Sequence, residues 1–140
     1  MKIIKADIWD YVEQGFITIP TNPIINSRGA VVMGRGLALQ IKEAYPEFPF
    51  IFAKFIKDRG NVPGIFSNNL ITFPVKYHWK AQADLLLIEQ SAKILGKLMR
   101  FIGHNVYMPK VGCGNGQLDW EDVKPILEKY CPDVIIVDWS

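Results

Sequence analysis

Cysteine is nearly absent, with only Cys113 and Cys131 among 140 residues. Two cysteines build neither a disulfide framework nor a four-ligand zinc site, so no metal is expected. No apolar stretch reaches the roughly 18–20 residues of a membrane span. The opening Met1-Lys2-Ile3-Ile4-Lys5-Ala6-Asp7 meets Lys and Asp too soon for the apolar run of a secretion signal. There is no block of five like charges, no low-complexity tract, no repeat, and no Gly-, Ser- or Pro-rich linker dividing the chain. These absences predict one soluble cytoplasmic domain over residues 1–140, with no membrane partner. What is there agrees: the chain is 49% hydrophobic and 21% charged, enough apolar side chain to bury a core without staples.

The net charge of +2 conceals an uneven distribution. Residues 28–110 carry 12 Lys and Arg against five acids, whereas residues 111–140 carry two Lys against six acids. A basic middle suits an anionic ligand, a polyphosphate or a nucleic acid; solvated helix faces give the same count.

Alternation and β-branched content predict strands over Lys2–Ile8, Phe16–Pro20, Asn69–Phe73, Asn105–Met108 and Val134–Val137. Helical spacing predicts helices from Gly36 to Tyr45, from Phe48 to Ile56 with a stop at Gly60, over Asp84–Ile102, and from an Asp119 cap to Tyr130. Pro125 lies deeper than a first turn tolerates, which predicts an irregular start to the last helix. Strands alternating with helices, two of the strands purely apolar, indicate an α/β sheet covered on both faces. Ligands of such sheets sit beyond the strand ends, in loops that follow strands.

Two such loops have unusual composition. Met33-Gly34-Arg35-Gly36-Leu37-Ala38 opens directly into a helix, so its glycines admit close backbone approach and the helix start adds partial positive charge. Position 39 is Leu39 rather than Gly, and no Gly-Lys-Ser/Thr follows, so it is neither named nucleotide motif. Val111-Gly112-Cys113-Gly114-Asn115-Gly116 suits backbone cupping of an anion. Each alone is equally a glycine turn; together they suggest a diphosphate cradle.

These loops, with Asn22, Asn26, Pro109-Lys110 and Leu118-Asp119-Trp120, resemble the macro domain, the family of ADP-ribose-binding modules and ADP-ribosyl hydrolases. The resemblance covers essentially the whole chain. It implies a three-layer α/β fold, a mixed central sheet of about six strands with helices on both faces. Phe73-Pro74-Val75-Lys76-Tyr77-His78-Trp79 is similar to the subgroup of terminal ADP-ribose glycohydrolases and antitoxins that remove ADP-ribose from DNA bases, in which phage and bacterial proteins are common.

The resemblance implies roles residue by residue. Asp7 and Ile8 would hold adenine, where a carboxylate accepts well from an amino group. Asn22, Asn26, Gly34, Arg35, Gly36 and Leu37 would wrap the distal ribose and phosphates, although the two Asn serve equally well as turn residues bonding their own backbone. Gly112, Cys113, Gly114, Asn115 and Gly116 would close over the diphosphate. Trp139 or Tyr107 would stack on adenine or belong to the core. Lys76 would be catalytic at the anomeric carbon of the distal ribose, as a nucleophile if burial or cations lower its pKa, or as a cationic anchor or an acid for the leaving group; by its type alone it is equally a surface lysine at a strand end. His78 and Trp79 would contact a substrate base or pack beneath the loop. The terminal glycohydrolases pair the lysine with an aspartate where this chain has Gly116, which favours the DNA-directed branch. Cys113 has no paired His and is read as structural. The expected ligand is ADP-ribose or an ADP-ribosylated substrate, with nucleic acid and a separately encoded toxin as partners and no cofactor. The alternatives are a non-catalytic ADP-ribose-binding module and an ADP-ribose 1″-phosphate phosphatase.

Overall fold

A computed structural model describes residues 1–139. Six strands, β1 (Lys2–Lys5), β2 (Gly15–Thr21), β3 (Gly64–Phe66), β4 (Leu70–Pro74), β5 (Asn105–Met108) and β6 (Ile135–Asp138), form one sheet in the order β1-β6-β5-β2-β4-β3. All neighbours are parallel except the edge pair β3 and β4. Four helices accompany it: α1 (Gly36–Ala44), α2 (Phe48–Arg59), α3 (Leu85–Ile102) and α4 (Trp120–Tyr130).

Successive strand residues point to opposite faces, and both faces here are apolar. Val106 and Met108 of β5 pack with Ile88, Ala92 and Leu95 of α3 and Val123 and Leu127 of α4. Tyr107, between them, packs with Ile41 of α1 and Phe52 and Ala53 of α2. The result is three layers, helix, sheet, helix, as the resemblance implied. Among the described residues no helix is long and apolar enough to cross a membrane.

Three expectations are corrected. The first strand ends at Lys5 rather than Ile8, because Asp7 accepts from the Trp9 amide at 3.1 Å and caps a single 3₁₀ turn over Ile8–Tyr11. The edge strand β3 was not read: it is three residues long and opens on Gly64, and it exists through pairing with β4 and the bond from Gly64 N to Thr72 Oγ1 at 3.0 Å. Helix α4 runs unbroken from Trp120 through Pro125, and Asp119 sits at its cap position without a side-chain cap bond. Pro125 removes the donor to the carbonyl of Glu121; both residues are exposed, so water can take that carbonyl.

The topology sets the site. The C-terminal ends of β2, β4 and β5 lie at one edge, and the loops leaving them meet there. The chain beyond β4 is held by Val75 N to Thr21 O at 3.0 Å and by Asp84 N to Val75 O at 2.9 Å. The buried Ser91 hydroxyl of α3 adds a bond to Pro74 O at 2.8 Å.

Candidate functional site

A cavity of about 620 Å³ opens at this edge, between the loop after β2, the exit of β4 and the loop after β5. Arg35, Lys76 and Lys110 line it, and no Asp or Glu does, which makes it a site for an anion.

The first loop is held by its own asparagines. Asn22 is buried; its Nδ2 donates to Val32 O and its Oδ1 accepts from Ile24 N, both at 2.9 Å. Both ends of that amide are spent on the loop. Asn26 Oδ1 accepts from Arg28 N at 2.9 Å and Ala30 N at 3.2 Å, while its Nδ2 stays free at the cavity wall. Each asparagine is thus a turn residue, and Asn26 keeps a donor for a ligand. The loop delivers the chain to α1, where Arg35 occupies the cap position in extended conformation with no side-chain cap. The first amides of α1, on Gly36, Leu37 and Ala38, therefore have no intrahelical acceptor, and these residues line the cavity.

The second loop is a tight turn, with Leu118 N bonded to Gly112 O at 2.9 Å and Gln117 N to Gly114 O at 3.1 Å. Gly112 has φ +76, a conformation that favours glycine. A Cβ at Gly116 would lie 2.5 Å from Gly112 O and 2.8 Å from Ala83 Cβ, so the loop has no room for an aspartate there. Asn115 of this loop lies beside Gly36 of the first, whose Cβ would stand 3.6 Å from Asn115 Nδ2.

Lys76 joins the walls. Its Nζ donates to Asn115 O at 3.3 Å and to Trp79 O at 3.5 Å, and Asn61 Nδ2 bonds the Lys76 carbonyl at 3.4 Å. Burial, helped by the Arg35 guanidinium, holds its pKa below the ordinary lysine value.

The cavity brings together Asn22, Asn26, Gly34, Arg35, Gly36, Leu37, Lys76, Gly112, Gly114, Asn115 and Gly116. Asp7, Ile8 and Cys113 are not among its lining residues. Burial pushes the Cys113 thiol up in pKa, and its Sγ donates to Val111 O at 3.4 Å, the setting of an unreactive thiol. Tyr107 is a core residue stacked on Tyr11 at 4.4 Å, and Trp139 is exposed beyond β6, so neither ring lines the cavity. Lys110 was not singled out by the residues alone; it lines the cavity, pairs with Asp138 at 3.1 Å and lies 5.5 Å over the Trp120 ring. Its adjacency to the second loop in the chain was the available signal.

Compared with solved structures, the chain superimposes on the macrodomain of Mycobacterium tuberculosis DarG with a TM-score of 0.80 and 29% identity, over 99% of this chain and 95% of that one. The chain has the macro-domain fold. A second macro domain, that of Thermus aquaticus DarG, aligns over 99% of this chain and 97% of that one, at a TM-score of 0.75 and 22% identity, a likeness of fold. No family profile matches the chain. In sequence, this macro domain is 36% identical over 131 residues to a Mycobacterium tuberculosis protein named DNA ADP-ribosyl glycohydrolase, covering 81% of this chain and 37% of that protein. A Thermus aquaticus protein of the same name is 27% identical over 133 residues, covering 85% of this chain and 36% of its own length. The chain thus spans little more than a third of the curated relatives it matches.

Proposed function

We propose that this macro domain is an ADP-ribosyl glycohydrolase that removes ADP-ribose from nucleic-acid bases, with Lys76 as its catalytic residue. The observation that carries the reading is Lys76 Nζ, held by the Asn115 carbonyl of the second glycine loop and by the Trp79 carbonyl, in a cavity lined by no Asp or Glu among the described residues. The names of the Mycobacterium and Thermus relatives support the reaction class. The uncapped start of α1 and the second loop take the diphosphate, and Asn26 Nδ2 reaches the distal ribose. Asp7 has one carboxylate oxygen engaged in its turn and the other left for the adenine amino group.

Burial and the neighbouring Arg35 cation both lower the Lys76 pKa, which favours the amine form a nucleophile needs. The Lys76 amine then adds to C1″ of the distal ribose as the bond from C1″ to the base nitrogen breaks, and the base leaves with the proton given up by the lysine nitrogen. Water then displaces the lysine from C1″, its oxygen becoming the C1″ hydroxyl and its other proton returning to the lysine nitrogen. The negative diphosphate held by the loops, with polar loop groups, stabilises the oxocarbenium character developing at C1″. The substrate would be made in the cytoplasm by a separately encoded toxin of transferase type. A Thermosipho africanus relative, 24% identical, is named as a DNA ADP-ribosyl transferase-DNA ADP-ribosyl glycohydrolase fusion protein.

The test is chromatography of ADP-ribosylated thymidine and guanosine oligonucleotides incubated with wild type and Lys76→Ala. Wild type releases free ADP-ribose, and the variant is slower by on the order of 10³-fold. Release by both rejects Lys76. Release by neither, with ADP-ribose still bound, rejects the reaction on bases and leaves the non-catalytic binding module, which the closed position at Gly116 favours, or a protein-linked substrate.

A further inference from the structure

We propose that the segment Tyr77–Lys80 is a stacking platform for a nucleobase flanking the modified one; this rests on the nucleic-acid reading above. Trp79 lines the cavity and is 41% exposed, and Tyr77 is 55% exposed. Neither the Trp79 indole N–H nor the Tyr77 hydroxyl has a partner among the described residues, so no internal bond fixes either ring. The His78 ring stacks on Trp79 at 5.5 Å and 29°, and Lys80 Nζ lies 5.0 Å from the centre of the indole. A row of exposed rings with a cation is what a single-stranded nucleic acid binds, bases on the rings and phosphate on the cation.

Two further observations select a nucleic acid. The chain carries no acid between Asp58 and Asp84. Asp84 itself is committed to capping α3, its Oδ1 accepting from Leu87 N at 3.0 Å. The platform therefore presents Lys76 and Lys80 without an adjacent carboxylate. It is also joined to the reacting group, because the Trp79 carbonyl accepts from Lys76 Nζ at 3.5 Å. A base stacked on Trp79 lies one nucleotide from the base whose bond to ribose is cut. Bases in a duplex present only their edges, so stacking here demands an unpaired strand. Lys80 is exposed and can swing from the indole face to the phosphate when a base arrives.

The platform is tested by fluorescence anisotropy of an unmodified, labelled single-stranded oligonucleotide, measured with ADP-ribose present. Wild type binds the single strand and not the annealed duplex. Trp79→Ala weakens binding about ten- to hundredfold, Trp79→Phe restores most of it, and Lys80→Ala leaves a smaller, salt-dependent loss. In parallel, release is followed from an ADP-ribosylated oligonucleotide and from an ADP-ribosylated mononucleoside. Trp79→Ala raises KM for the oligonucleotide at least tenfold more than for the mononucleoside. Equal binding of duplex and single strand overturns the platform, and so does an equal effect of Trp79→Ala on both substrates. If wild type releases nothing from any substrate, the glycohydrolase reading fails and the anisotropy result alone decides the platform.

Discussion

A Cβ added at Gly34 or Gly114 would meet nothing within 4 Å, whereas one added at Gly116 would press on the carbonyl oxygen of Gly112 and on Ala83, and one at Gly112 would come 2.9 Å from Ile88 Cδ1. The two loops at the cavity are both rich in glycine, yet they use it differently. In the first, Gly34 and Gly36 leave the start of α1 bare to solvent. In the second, Gly112 and Gly116 let the backbone close on itself and on α3, and only Gly114 faces open space. Glycine thus makes one wall accessible and the other rigid; Lys76 bonds the rigid one through the Asn115 carbonyl and feels the accessible one through the charge of Arg35.

The largest effect should come from breaking the rigid wall. Gly116→Ala forces backbone against side chain and should lower thermal stability by about 1–3 kcal/mol, or roughly 3–10 °C in Tm by calorimetry. Gly36→Ala is a smaller test of the open wall. Its φ of +56 costs about 1–2 kcal/mol with an L side chain, while the new Cβ makes only ordinary contact with Asn115. Gly34→Ala and Gly114→Ala should leave Tm unchanged within about 0.5 kcal/mol, and their effect should appear as weaker ADP-ribose binding by titration calorimetry. If Gly116→Ala is as stable as Gly114→Ala, the contrast between the loops is wrong.

The coupling of Lys76 to both walls has a pH signature. Its folded pKa lies below 10.5 through burial and then through Arg35, so the free amine forms at lower pH than in an ordinary lysine. Release of ADP-ribose should therefore rise with pH along a limb centred below 10.5, and Arg35→Gln should move that limb to higher pH. A limb that falls with pH would instead assign the ammonium form. The smallest effect concerns Cys113. With its thiol raised above the usual value, iodoacetamide should modify it several-fold more slowly in the native protein than in the unfolded chain. Cys131, buried and pushed up to about 12, should resist until unfolding.

Helices α1 to α3 and strands β2, β4, β5 and β6 could be read from spacing and punctuation because their signals are local: an apolar run stopped by Pro109, a helix capped by Asp84, another closed by Gly60 at φ +86. Pro20 does not stop β2, which pairs with β4 through Pro20 and ends at Thr21. The same local chemistry placed both glycine loops at the edge where the strands end, and the family resemblance of Phe73–Trp79 added Lys76. It failed where a remote partner outweighed the local preference. Residues 64–66 become a strand only because β4 offers an unpaired edge. The uninterrupted α4 tolerates Pro125 only because that side of the helix faces water. Asn22, equally a ligand or a turn residue by its type, has both amide groups taken by Ile24 and Val32.

The residue types and their order were sufficient for a two-faced α/β sheet and an anion-favouring edge, since hydrophobic period, turn chemistry and charge act over a few neighbours; the lysine beside that edge came from the family resemblance. Which glycines are bare and which are packed, which asparagine group stays free, and that Lys76 reaches the Asn115 carbonyl 39 residues away depended on the folded chain. Those are distances between segments remote in sequence, and they take values only when the core has brought the segments together.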